Sequence, residues 1–232
     1  MAVTYQSTNN SGWVDGSSTQ NCVVTKPSGL ALNDIMILLF SQEAVDGWGT
    51  TPSGWTQIAT YSQGTVDEVM QNFVMYKIAD SSDVAATNFT FVASASSTTH
   101  AAALYRISGG DISRSQVSTG NTDNQAYISV AGITPNEENS LFMFLNALSD
   151  QANTPNNHVI ETGNTTWNIV TSITTTLGVD HGLEAAYGNR SQKTNTGLAS
   201  SDGFPNGTDI WSCFLVIPPA NPSRNFFNFI YN

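Results

Sequence analysis

The chain has 232 residues, 18 of them acidic and 7 basic, for a formal net charge of −11 at pH 7, and only 11% of its residues are charged. Globular domains usually carry roughly 25% charged residues, so the surface here is neutral-polar, made of Ser, Thr, Asn, Gln and Gly. Lys26, Lys77, Lys193, Arg106, Arg114, Arg190 and Arg224 are scattered, and without a basic cluster to neutralise phosphates a nucleic-acid partner is excluded.

Residues 1–20 are polar apart from Val3, Tyr5, Trp13 and Val14, and read as an N-terminal arm or a short edge strand. Residues 1–6 hold neither a positive n-region nor an apolar h-region, and no stretch reaches transmembrane length. Synthesis in a cytoplasm without membrane insertion is therefore expected, with lysis rather than secretion as the way out. Residues 21–25 form the first strand. After the turn Pro27-Ser28-Gly29 comes the run Ile35-Met36-Ile37-Leu38-Leu39-Phe40, too short to span a membrane and bounded by turn formers. It reads as a strand buried on both faces.

Trp55 follows a Pro-x-Gly turn and leads a further strand, in the position of a core plug. Residues 68–79 alternate as a long strand whose Phe, Val and Tyr content outweighs a helical reading. Asp80-Ser81-Ser82-Asp83 is a turn, residues 87–94 and 100–107 are strands, and no helix is expected in this half.

The remainder replays the same order. Residues 33–40 align with 138–145 at an offset of 105, Trp55 with Trp167 at 112, residues 74–78 with 183–187 at 109, and 103–107 with 213–217 at 110. Two pseudo-repeats, about 21–110 and 126–219, would close their apolar faces on each other as one domain. The fold expected is all-β: an antiparallel, jelly-roll-like β-sandwich over residues 21–219. Pro218-Pro219 ends the last strand, and residues 220–232 form an aromatic tail. Cys22 and Cys213 lie near opposite ends of the chain, in strands that a Greek key could make neighbours. A disulfide and two free thiols both fit.

Chemistry is sparse. His100, His158 and His181 show no metal-ligand spacing, and no nucleophile elbow, P-loop, dinucleotide fingerprint or calcium loop is present. Asp180-His181 with Glu184 can be drawn as an acid–base cluster. Asp80, Asp83, Asp111, Glu137, Glu138, Asp150, Asp202 and Asp209 sit mostly in turn contexts and read as solvated turn residues. Trp55, Trp167 and Trp211 fall in strands, whereas Trp48 stands on a glycine loop and is the one candidate for sugar stacking. No catalytic residue, metal or cofactor is expected.

Several motifs carry a resemblance: Thr25, Pro27, Gly29, Ala31 and Asp34; Pro52, Gly54, Trp55, Thr56 and Ile58; Tyr76-Lys77-Ile78-Ala79; Phe89, Thr90 and Phe91; and Tyr105-Arg106. Together they resemble a family of tailed-phage and prophage virion proteins, well over residues 21–110 and more loosely beyond. The resemblance implies a two-part β-sandwich found as a capsid decoration, head-fibre or tail-fibre module, with no catalytic residues. A decoration or cement protein is the leading expectation, since no trimeric stalk repeat is present. Its partners would be the major capsid protein and its own copies in a homo-oligomer, a trimer among the options. Phe226, Phe227, Phe229 and Tyr231 would form the clamp, because aromatics dominate interface energies. A receptor module binding host glycan through Trp48 is the alternative.

Overall fold

The computed structural model describes residues 2–16, 19–44, 51–63, 70–97, 99–149, 157–161, 165–174, 181–202 and 208–221. The first half contains β1 (Thr4–Asp15), β2 (Asn21–Thr25), β3 (Ile35–Glu43), β4 (Thr56–Gln63), β5 (Met70–Ile78), the short helix α1 (Ser81–Ala85), β6 (Asn88–Val92) and β7 (Thr99–Ser108). A 3-10 turn, Ile112–Arg114, leads to β8 (Gln116–Gln125), β9 (Tyr127–Val130), β10 (Ser140–Ser149), β11 (Asn157–Ile160), β12 (Asn168–Thr174), β13 (His181–Arg190), β14 (Ala199–Asp202) and β15 (Thr208–Ile217). All pairings are antiparallel.

Two five-stranded sheets, β1-β7-β3-β5-β4 and β12-β13-β10-β15-β8, form the inner layers, and the smaller sheets β2-β6 and β11-β14-β9 cover them. Side chains alternate across a strand, which explains the unbroken apolar runs. Ile35, Ile37 and Leu39 of β3 meet Leu141, Met143 and Leu145 of β10 in a central core. Met36, Leu38 and Phe40 pack the other way, on Cys22, Val24 and Phe91. Phe142 and Phe144 do the same against Ile128, Val130 and Ala199. The molecule is thus a four-layer sandwich with three stacked cores, and each large side chain buried in them stabilises by roughly 1.5–3 kcal/mol.

Read from its other edge, the second sheet is β8-β15-β10-β13-β12, the strand order of the first taken in sequence. Ladder register sets the correspondence. Asn33 and Asn139, both in the left-handed region that asparagine tolerates, precede β3 and β10 at 106 positions apart. Ile35 pairs with Ile107 as Leu141 pairs with Ile217. The offset of 105 read from sequence is therefore one residue short. A one-residue slip reverses the faces of a strand, and it would set core-facing Ile35 against Ser140, which points the other way. For β5 and β13 the offset is 111, not 109, because Tyr76 pairs with Thr56 as Tyr187 pairs with Asn168. Bulges fall at Ile58 in β4 and Val170 in β12. Both are edge strands, where a bulge blunts further pairing.

One local expectation needs correction, and two open alternatives close. The sequence 80–83 is a capped helix start: Asp80 accepts from the backbone of Ser82 and Asp83, and Asp83 reaches back to the Asp80 N–H. That reciprocal pattern stabilises a single helical turn. Residues 4–15 form a long edge strand of the main sheet, where Tyr5 stacks on Tyr187 of the opposite sheet at 4.3 Å. Cys22 and Cys213 are free and lie in different cores, because β2 pairs with β6 while β15 pairs with β10 and β8.

Candidate functional site

Trp48, Phe226, Phe227, Phe229 and Tyr231 lie outside the described residues. The described tryptophans serve the cores. Trp55 meets Phe91 edge-on at 5.5 Å, Trp167 meets Phe144 at 5.6 Å, and Trp211 is buried against Tyr61. Trp55 and Trp167 stand just before β4 and β12 rather than within them and are half-buried.

The densest group of reactive side chains lies inside the second half. Leu183 and Ala185 face the central core, so strand alternation turns Glu184 toward the outer sheet, where it is fully buried. Its Oε1 lies 2.9 Å from His158 Nε2, and its Oε2 accepts from Asn146 Nδ2 at 2.6 Å. Asn146 Oδ1 accepts from the Ser212 hydroxyl, and Asn146 Nδ2 lies 3.4 Å from Ser201 Oγ. The His158 ring is flanked by Phe144 and Trp167. Burial raises the Glu184 carboxyl above the ordinary carboxylate range, against the opposing pull of His158 and Asn146.

Glu184 thus takes a histidine from β11; Asp180 and the side chain of His181 lie outside what the structure describes. The legible signal was an acid between Leu183 and Ala185 in an otherwise apolar strand, matched by Asn146 in Phe144-Leu145-Asn146-Ala147. A catalytic acid or base must come within about 2.6–3.2 Å of the proton it moves. The side chains of His158 and Glu184 are 1% and 0% exposed, so this network is enclosed between two layers.

The same rung in the first half is apolar. Ala102, Phe40 and Phe73 pair across β7, β3 and β5 as Ser212, Asn146 and Glu184 pair across β15, β10 and β13. The next rung reverses the pattern. Gln42 donates to Gln71 at 2.7 Å and accepts from Ser94 N at 2.8 Å beside buried His100, while Leu148, Gly182 and Ile210 fill the second half. Burial lowers the His100 pKa.

Four of the turn acids, Asp80, Asp83, Asp111 and Glu137, are tied down rather than simply solvated, and Asp202 and Asp209 lie in β14 and β15. Lys77 bridges Asp83 at 2.7 Å and Asp80 at 3.3 Å. Arg106 bridges Asp34 at 2.6 Å and also donates to Ser28 O. Arg114 holds Asp111, Glu137 and Pro219 O, while Lys193 reaches Glu137 at 3.5 Å and Lys26 donates to Val84 O. A cleft of about 470 Å³ opens between Arg114, Glu137, Asn139 and the segment 219–221, but its guanidinium is already committed to internal partners.

Outer faces are weakly charged and partly apolar. Val23 and Val92 are exposed on the β2-β6 sheet, and Tyr127 and Val159 on the β11-β14-β9 sheet. Among the described residues no group of three His, Cys, Asp or Glu could hold a metal, and no helix is long and apolar enough to cross a membrane. No family model, curated protein or solved structure matches the chain.

Proposed function

We propose that the chain is a structural protein of a tailed-phage virion, a capsid decoration or cement protein that binds the outer shell and neighbouring copies. The reading rests on the resemblance, supported by how the resembling residues are used. Asp34 and Arg106 form one ion pair, Trp55 packs on Phe91, Lys77 is held by Asp83, and a Cβ on Gly29 (φ +67) would come within 2.7 Å of Arg106. These residues maintain the scaffold and do no chemistry, as befits two copies of one β unit put to adhesive use.

The observation that carries the reading is the division of side chains. Among the described residues most acid–base groups are sealed in cores or tied to partners, while the outer sheets offer mainly neutral Val, Thr, Ser, Asn and Tyr. Such a surface suits extended contact with a flat protein shell, and Phe226, Phe227, Phe229 and Tyr231 would add the aromatic anchors. The major capsid protein and copies of the chain itself are the partners proposed. Quantitative mass spectrometry of purified virions tests this: hundreds of copies per particle are expected. A handful, or none, would overturn the decoration reading, and a handful together with glycan binding would favour a receptor module using Trp48.

A further inference from the structure

Arg190, the last residue of β13, is 3% exposed. Its Nη2 donates to Thr194 Oγ1 at 2.6 Å, while Nε and Nη1 are buried without a hydrogen-bond partner. Guanidinium can only donate, so nothing within the side chain relieves those two groups. Burial works against the charge, and no carboxylate pairs with it among the described residues.

A second unsatisfied group lies on the same side of the strand. Gly188 and Arg190 are two residues apart and share a face. The segment 165–167 crosses directly over Gly188, where an added Cβ would stand 2.3 Å from Thr165 Cγ2 and 3.0 Å from Thr166 O. The absent side chain lets Thr165 approach, and its hydroxyl is buried without a partner.

The first half supplies an internal control. Ladder register puts Lys77 at the place of Gly188 and Ala79 at that of Arg190. There the cation receives its anions from the chain itself, because the segment after β5 brings in Asp80 and Asp83. After β13 the corresponding segment brings Thr194 instead. One end of the fold is neutralised from within, and the other holds a buried cation bonded to Thr194, with the unpartnered Thr165 hydroxyl over the same face of the strand and no acceptor of matching charge among the described residues.

We propose that Arg190, with Thr194 and Thr165, forms a binding site for one small oxyanion, a phosphate or carboxylate group, whose occupancy stabilises the second half. The planar guanidinium suits either group because both present paired oxygens to it. A free ion and a carboxylate from another chain share this chemistry, and dilution separates them.

The test is thermal unfolding of the full chain in sodium phosphate, sodium acetate and sodium chloride at matched ionic strength, for the native protein and for Arg190→Ala, which installs the residue the first half carries. The native melting temperature should rise saturably in phosphate or acetate, by about 5 °C at a hundredfold excess over Kd. Arg190→Ala should lose that rise and melt in chloride no lower than the native protein. A rise in chloride alone that grows with protein concentration would identify a carboxylate from a second copy. Equal melting in all three salts at every protein concentration, or a rise that Arg190→Ala retains, would overturn the site. The Nε–H resonance of Arg190 in the native protein gives a readout independent of the variant: it should move on phosphate addition, and an unmoved resonance counts against the site.

Discussion

Glu184 is the residue at which folding and protonation are most strongly linked. Its folded-state pKa is raised from 4.5, chiefly by burial, so the folded chain keeps a proton in a window where the unfolded chain has released it. The stabilisation is therefore full below pH about 4.5 and declines as pH rises toward the raised value, by about 1.4 kcal/mol per pH unit inside the window. Glu184→Gln keeps a neutral hydrogen-bonding group, and its unfolding free energy should be flat across that window while the native protein's falls. Denaturant titrations at a series of pH values would show this, and parallel pH profiles would refute it. The thiols give a second check at this scale. Burial pushes both Cys22 and Cys213 up to about 12, so neither should react with iodoacetamide at pH 8 in the folded chain. Both should be labelled once it is unfolded.

At the scale of elements, β3 and β10 organise each half, and the turns entering them differ in how they are held. Asp34 accepts from Arg106 Nε at 2.6 Å and from the Ala31 N–H at 2.8 Å, tying the approach to β3 onto β7. The bridge is mostly buried, with side chains 9% and 17% exposed, so Asp34→Ala strands a guanidinium and a backbone donor together. A loss of about 3 kcal/mol is expected, read as a lower urea midpoint with an unchanged slope. This turn was legible as Thr-x-Pro-x-Gly-x-Ala-x-x-Asp; its partner Arg106 was visible as a residue but not as a contact. The register of the halves was less legible. Val, Leu, Ile and Phe sit on both faces of a doubly buried strand, so hydrophobicity does not distinguish an offset of 105 from 106. The left-handed Asn33 and Asn139 do.

For the whole molecule, the decisive feature is the shared central core. Val3, Ile37, Leu39 and Tyr105 from one half interlock with Met143, Leu145, Trp211 and Leu215 from the other. The central strands of both five-stranded sheets, β3 and β10 above all, are buried on both faces, so separating the halves would expose the apolar face each turns to the shared core. Fragments 1–110 and 111–232, made separately, should aggregate or remain unfolded, and should recover native circular dichroism when expressed together. The intact chain should unfold in one step with coincident fluorescence and circular dichroism transitions. Independent folding of either fragment would show that the outer cores suffice.

Local composition determined much by itself: strand content from β-branched and aromatic runs, breaks from Gly, Pro and Asn, a weakly charged surface, and the plug positions of Trp55 and Trp167. These properties depend on a residue and its near neighbours, which is the range over which side-chain periodicity acts. Only the tertiary structure decided that the layers number four, that Glu184 meets His158, and that among the described residues Lys77 finds its counter-charge while Arg190 does not. Those outcomes depend on which strands become neighbours across the sheets. Such pairing joins residues far apart in the chain through the collective burial of whole faces, and no single segment specifies it.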